Sequence, residues 1–239
     1  MSAMRNIAAL LSTGLAALCL FSAPAAAQID HDGALWEMFL AQGNLAGIDP
    51  EWKNVRWWLD VQGRWRHEGE DLDTTIVRPG IGYALTDRVT VFAGYGLITT
   101  HPRNGGDTTE NRIWQQLVWN VPVEGDYKLQ LRSRLEERFV EDTDDMGWRF
   151  RQFAKYTRPW SADGKRYLSA WDEVFYELND TDFGQNMGLR QNRLFVGVGW
   201  FLDEARTIAF EGGYLNQWIS RPGDDRMNHA LSLNVLVSF

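Results

Sequence analysis

The last eleven residues, His229 to Phe239, carry an apolar side chain on every second position: Leu231, Leu233, Val235, Val237 and Phe239. Ala230, Ser232, Asn234, Leu236 and Ser238 stand between them. Strict alternation is the mark of a pleated strand whose two faces meet different surroundings. A strand that finishes on a terminal Phe, in an exported chain, is expected to be the closing strand of a bacterial outer-membrane barrel.

The same period repeats upstream. From Lys53 onward the chain divides into about ten alternating segments. The cleanest sets Tyr127, Leu129, Leu131, Leu135 and Phe139 against Lys128, Gln130, Arg132, Arg134, Glu136 and Arg138. Connections such as Thr86–Arg88 and Asp203–Arg206 are short, whereas His101–Glu110 and Asn179–Gln191 are longer. The fold class expected is therefore all-β, an antiparallel up-and-down transmembrane β-barrel of about ten strands. It would have short periplasmic turns and longer extracellular loops. An even strand count would put both termini at the periplasm.

The amino terminus reads as a secretory signal: Arg5, an apolar run from Ile7 to Phe21, and a small-residue cleavage site ending at Ala27. Cys19 raises a lipoprotein signal as a rival, but Leu18 precedes it where a small residue is preferred. Cys19 is also the sole cysteine, so the exported part has no disulfide and must rely on packing or a closed sheet. Residues 28–52 form a separate periplasmic segment in this reading, with Ala34 to Ala41 able to make a short amphipathic helix. Residues 53–239 form the barrel. The formal charge of −8 and the export signal argue against a nucleic-acid partner. Expected partners are outer-membrane lipid, lipopolysaccharide, and the barrel assembly machinery acting on the strand that ends at Phe239.

Alternation alone does not say which face is outside. A soluble barrel with an apolar interior would alternate in the same way and would bind an apolar ligand. Aromatic residues favour lipid outside, because they cluster at strand ends. Trp57, Tyr83, Trp119, Tyr127, Tyr156, Tyr167, Trp200 and Phe239 fall at one end, and Trp65, Tyr95, Phe139, Trp148, Tyr176, Tyr214 and Trp218 at the other. Two belts around an aliphatic band match the interfacial preference of Trp and Tyr.

The other face then lines the lumen. The candidate polar network is Arg112, Gln116, Arg132, Arg134, Glu136, Arg138, Arg149, Arg151, Glu173, Arg193, Glu211 and Gln217. About ten strands enclose little more than the space that side chains fill in an eight-stranded barrel. The plain expectation is a plugging lattice of ion pairs, since buried charges must be paired or hydrated. The functional expectation is a narrow path or shallow site for a small anion. Gly80, Gly82, Gly197 and Gly199 share lumen parity and would make room for bulky groups such as Trp58, Trp114 or Trp171.

Other chemistry finds little support. His31, His67, His101 and His229 form no zinc spacing, and no G-x-S-x-G elbow occurs. No cofactor or metal is implied. Asp142-Thr-Asp-Asp145 is too short for an EF-hand loop; the acidic loops are expected to be solvated, or to hold divalent cations shared with lipopolysaccharide. His101 and His67 beside loop acids keep a lipid- or peptide-cleaving centre at the outer rim as an alternative.

Several blocks occur together in order: Glu110-Asn-Arg-Ile-Trp-Gln-Gln116, Leu131-Arg-Ser-Arg-Leu-Glu-Glu-Arg-Phe139, Arg149-Phe-Arg151, Asp172-Glu-Val-Phe175, Gln191-Asn-Arg-Leu-Phe195, Glu211-Gly-Gly-Tyr-Leu-Asn-Gln217 and Asn228-His-Ala230. As a set they resemble the family of exported bacterial proteins called domain of unknown function 2490. The resemblance covers nearly all of the chain after the leader. It implies an outer-membrane barrel and brings no substrate, cofactor or catalytic residue.

Overall fold

The structure, a computed structural model, describes residues 29–239; the leader expected at 1–27 lies outside the described residues. Eleven strands follow one another: β1 Ile29–Asn44, β2 Val55–Arg66, β3 Asp71–Ala84, β4 Val89–Thr100, β5 Thr108–Val121, β6 Lys128–Val140, β7 Met146–Pro159, β8 Arg166–Glu177, β9 Gly188–Phe201, β10 Ile208–Ile219 and β11 Asp225–Ser238. Each pairs with its sequence neighbour, and β1 pairs with β11, so the sheet closes into a barrel. Closure leaves no unpaired edge.

The expected all-β barrel is therefore present, with one strand more than the alternation implied. The extra strand is β1. The segment expected to contain a helix at Ala34–Ala41 is extended and lies antiparallel to β2 and parallel to β11. The physical reason lies on its two faces. Trp36 and Leu40 point inward onto aromatic clusters, while Leu35 and Phe39 point outward. With both faces apolar, the period of two is erased from the sequence. The parallel seam starts at the long-loop rim, where Ile29 opposes Asp225, and runs to Gln42 opposite Ser238. It also ties down the carboxy terminus, because Phe239 N donates to Gln42 O at 3.0 Å.

The strands zip further into the connections than alternation alone indicates. Thr99 and Thr100 still pair with Thr109 and Thr108, for instance. The one markedly long connection left on that rim is 178–187.

The two faces are inverted relative to a soluble protein. Val61, Val77, Ile81, Leu97, Ile113, Leu117, Leu194 and Val198 are exposed on the outside, and Val196 is 57% exposed. Arg134, Glu136, Arg151, Glu173 and Glu211 are buried within. Exposed Tyr83, Trp119, Trp200 and Phe239 mark one rim, and Tyr95, Phe139, Tyr176 and Tyr214 the other. One expected belt residue belongs elsewhere: Tyr167 points inward and is buried, its ring filling the space above Gly199. Its parity already places it with Ser169 and Trp171 on the lumen side.

Towards the short-turn rim the lumen is filled with aromatic side chains. Trp58, Phe92 and Trp114 form one cluster with Leu40 and Val118. At mid-height, beneath the long-loop end, Phe195, Leu215 and Ala230 form another with Ala34, Trp36 and Trp171. Gly80 and Gly94 permit the first cluster, because a Cβ on either would fall inside the indole ring of Trp114. Gly82 and Gly197 accommodate Phe92 and Phe195 rather than Trp58 and Trp171.

Candidate functional site

Alternation on β5 to β10 turns every second side chain inward, and register decides which of the polar ones meet. Glu136 on β6 faces Arg149 on β7, and Glu173 on β8 faces Arg193 on β9. Glu136 is 0% exposed and accepts from Arg149 Nη2 at 2.6 Å, Arg149 Nε at 3.0 Å and Arg151 Nη1 at 2.6 Å. Glu173 accepts from Arg151 at 2.8 to 3.1 Å and from Arg132 Nη2 at 2.8 Å. Glu110 holds Arg112 and Arg138, each at 2.6 Å for the shortest contact. Asp60 takes Arg78 at 2.6 Å, and Glu211 takes Lys155 at 2.6 Å. Charge-assisted, partly bidentate bonds of this kind are the strong ones, and they offset the cost of taking the ions out of water.

The twelve residues expected to form the lumen network divide into two groups. Gln116, Arg132, Arg134, Glu136, Glu173 and Glu211 lie in the packed lattice. Arg134 donates twice to Gln116 Oε1, at 3.0 and 2.6 Å, and its guanidinium lies 4.6 Å from the Trp114 ring centroid. Arg112, Arg138, Arg149, Arg151, Arg193 and Gln217 line a cavity of about 240 Å³ beside the lattice, Arg149 and Arg151 while also bonding its Glu136.

That cavity is a recess at the long-loop end of the lumen. Arg66, Asp73, Thr100, Glu110, Ile219 and Asn228, all close to that rim, form part of its wall. The wall carries eight arginines (the five above with Arg64, Arg66 and Arg78) and two carboxylates, Asp73 and Glu110. Most of these arginines already have a carboxylate partner. Among the described residues Arg64 has none within ion-pair distance, and Arg193 has only a long contact. Arg64 donates to Gln62 Oε1 at 2.8 Å, and its buried Nε has no hydrogen-bond partner among the described residues. Arg193 comes no closer than 3.9 Å to a carboxylate, Glu173, and the Gln191 amide oxygen, once oriented by its bonds, accepts from it at 2.7 Å. Both guanidiniums stack on Trp36, at 4.3 and 4.8 Å from its ring centroid. Cation–π contact steadies a guanidinium without neutralising it.

Sequence reasoning missed Trp36, Arg64 and Glu110 as site residues. Trp36 sits in the segment expected to be helical. Arg64 and Glu110 were legible only as lumen parity and as a strand end, and nothing local says that they reach the same recess.

At the long-loop rim the 178–187 loop leans over the mouth. Gln185 is buried and accepts from Arg138 Nη1 at 2.8 Å, and the Phe183 ring lies 5.4 Å from the Arg138 guanidinium. Asp182 and Asp145 accept backbone N–H bonds from Asp144 and Asp182 at 2.9 and 2.8 Å, so these acids knit two loops together. His67 pairs with Asp71 at 3.0 Å. His101 bonds Asp107 through Nδ1 at 2.9 Å and the Thr75 hydroxyl through Nε2 at 3.3 Å. At the short-turn rim, Asp203 accepts from Ile208 N and Thr207 Oγ1, both at 2.8 Å, and from Thr207 N at 3.1 Å. The Ile208 amide, before the Thr207 groups, holds the Asp203 carboxyl below the usual carboxylate range.

Fold and interior together define a closed β-barrel with a mostly apolar exterior and an ionic, largely filled lumen. The chain belongs to the family described as protein of unknown function, DUF2490, whose model matches residues 33–228. It is 30% identical over 229 residues to an uncharacterised protein of Methylorubrum extorquens, covering 94% of this chain and 96% of that one. Among solved structures it is similar to the NanC porin at 14% identity and a TM-score of 0.46, over 80% of this chain and 89% of the porin chain.

Proposed function

We propose that this is an outer-membrane barrel whose arginine recess opens to the cell exterior and binds a small anion. Between the aromatic belts the exterior is apolar over β2 to β4 and most of β9 to β11, which suits a bilayer and not water. The short-turn rim then faces the periplasm. Lipid, lipopolysaccharide and the assembly machinery, acting on the strand that ends at Phe239, are the partners this placement implies. The observation that carries the binding role is the pair Arg64 and Arg193, stacked on Trp36 and lacking a close carboxylate. An incoming carboxylate or phosphate would supply the missing charge in a recess shielded from bulk water, where such bonds are strong. Below the recess Trp58, Phe92, Trp114 and Arg134 fill the lumen, which supports a closed-bottomed site rather than an open conduit.

Titrating the detergent-purified chain with inorganic phosphate or citrate, followed by tryptophan fluorescence and calorimetry, tests this. Arg64→Ala/Arg193→Ala should weaken binding at least about tenfold, the loss of one charge-assisted bond or more. Equal affinity of wild type and variant, or no binding to either, overturns the site. Planar bilayers should show no steady current. A current that Arg132→Ala/Arg134→Ala abolishes would restore the conduit. Cell fractionation, with heated and unheated gel migration compared, tests the membrane placement.

A second reading rests on Thr75, His101 and Asp107. Their order is that of a nucleophile, a base and an orienting acid, at the outer rim. Fatty-acid release from phospholipid vesicles, lost in Thr75→Ala and in His101→Ala, would support an esterase. No release by the wild type removes it.

A further inference from the structure

The outer face carries a polar stripe that neither the lumen nor the recess explains. On β5 to β8 the outward residue at mid-height is polar: Gln115, midway between Asn111 and Trp119; Ser133, midway between Tyr127 and Phe139; Gln152, midway between Trp148 and Tyr156; and Asp172, midway between Leu168 and Tyr176. They bond one another and their neighbours. Ser133 Oγ donates to Gln152 at 2.7 Å, Gln115 to Glu137 at 3.2 Å, and Asn192 to Asp172 at 2.7 Å. On β2, across the barrel, the residue midway between Trp57 and Trp65 is Val61. Another outward carboxylate, Glu37, lies on β1 and takes the indole N–H of the outer-belt Trp65 at 3.1 Å.

Hydrocarbon offers nothing to these groups. Carboxylates and amides facing lipid are costly, and their spare N–H groups and lone pairs stay unmet. We propose that the β5–β9 outer face is not lipid-facing but is the contact between two copies of this chain. The inference rests on the membrane placement above.

Two observations select a second copy. Partners in one bilayer with the same orientation are related by an axis along the membrane normal, so groups can meet only at equal height. The stripe offers both signs of hydrogen bonding at mid-height, a carboxylate on Asp172, a hydroxyl on Ser133 and amides on Gln115 and Gln152, with Asn192 bonded to Asp172 and Glu137 nearer the outer belt. It is thus complementary to its own rotated image. Beside it the outward residues Ala154, opposite Asp172, and Ala170, opposite Tyr156, are small and allow close backbone approach.

The test is cysteine scanning in native membranes, since the native chain has its sole cysteine, Cys19, in the expected leader. Ser133→Cys and Gln152→Cys should give a disulfide-linked species of twice the monomer mass with a copper–phenanthroline oxidant. Val61→Cys should give several-fold less. Heat-shifted migration checks that each variant is folded. Membrane-embedded, folded variants that never cross-link at the stripe overturn the contact, as does a cross-linked product of any other mass. Recovery of the chain in the soluble fraction would overturn the membrane placement itself, a distinguishable failure.

Discussion

Replacing Glu136 by Gln removes the charge at the centre of the lattice while keeping the side-chain volume. Glu136 is fully buried and accepts three bonds of 3.0 Å or less from two arginines, with Arg134 and Arg112 a further 3.6 and 3.8 Å away. Arg151 retains Glu173, but Arg149 is left with Glu177 at 3.6 Å as its nearest carboxylate. Removing one partner of a buried ion pair costs about 3–5 kcal/mol. At about 1.4 kcal/mol per tenfold, the unfolding equilibrium should shift by roughly two to three and a half decades. Arg64→Ala is the internal contrast. It removes an uncompensated charge, loses a cation–π contact of about 0.5–2 kcal/mol and relieves repulsion from its neighbours, so its net effect should be within about 1 kcal/mol. Urea titration of the chain refolded into lipid vesicles, read by tryptophan fluorescence, measures both. A Glu136→Gln cost below about 1 kcal/mol, or an Arg64→Ala cost as large as that of Glu136→Gln, would refute the division into a structural lattice and a spare pair of arginines.

Asp203 ties the turn between β9 and β10, and its folded pKa is depressed, so its stabilisation is complete above the unfolded carboxylate pKa and disappears as pH falls through the folded value. The Ile208 amide signal should titrate with a midpoint below about 3.9, and Asp203→Asn should abolish that titration; a midpoint at or above the usual value refutes the tie. Gly94→Val should block folding or cost about 1–3 kcal/mol or more, with partial rescue by Trp114→Leu; a neutral Gly94→Val would mean that Trp114 does not fill the lumen there. Phe39→Cys with Val235→Cys, which oppose each other across the parallel seam, should form a disulfide within the folded barrel under oxidation, seen as a reductant-sensitive shift in gel migration. No shift would count against β1 as the closing strand.

The strands, their inside-out polarity and the arginine-rich lumen were legible in the amino-acid order alone. Parity is local: whether Arg132, Arg134 and Glu136 share a face depends only on the pleat, and the exposed aliphatics between aromatic belts say that the other face is not a dry core. Three things needed the tertiary structure. The eleventh strand did, because Trp36 and Leu40 dock on two separate inner clusters while Leu35 and Phe39 face outward, leaving β1 no periodic signal. The closing pairing of β1 with β11 did, because it joins residues almost two hundred positions apart. The sorting of arginines did too. Arg151 and Arg193 look equivalent by parity, yet register places Arg151 between Glu136 and Glu173 and leaves Arg193 with an amide and two aromatic rings. Alternation sets the face of a side chain, whereas its charge partner is set by which strand lies alongside and in what register, and that is a long-range property.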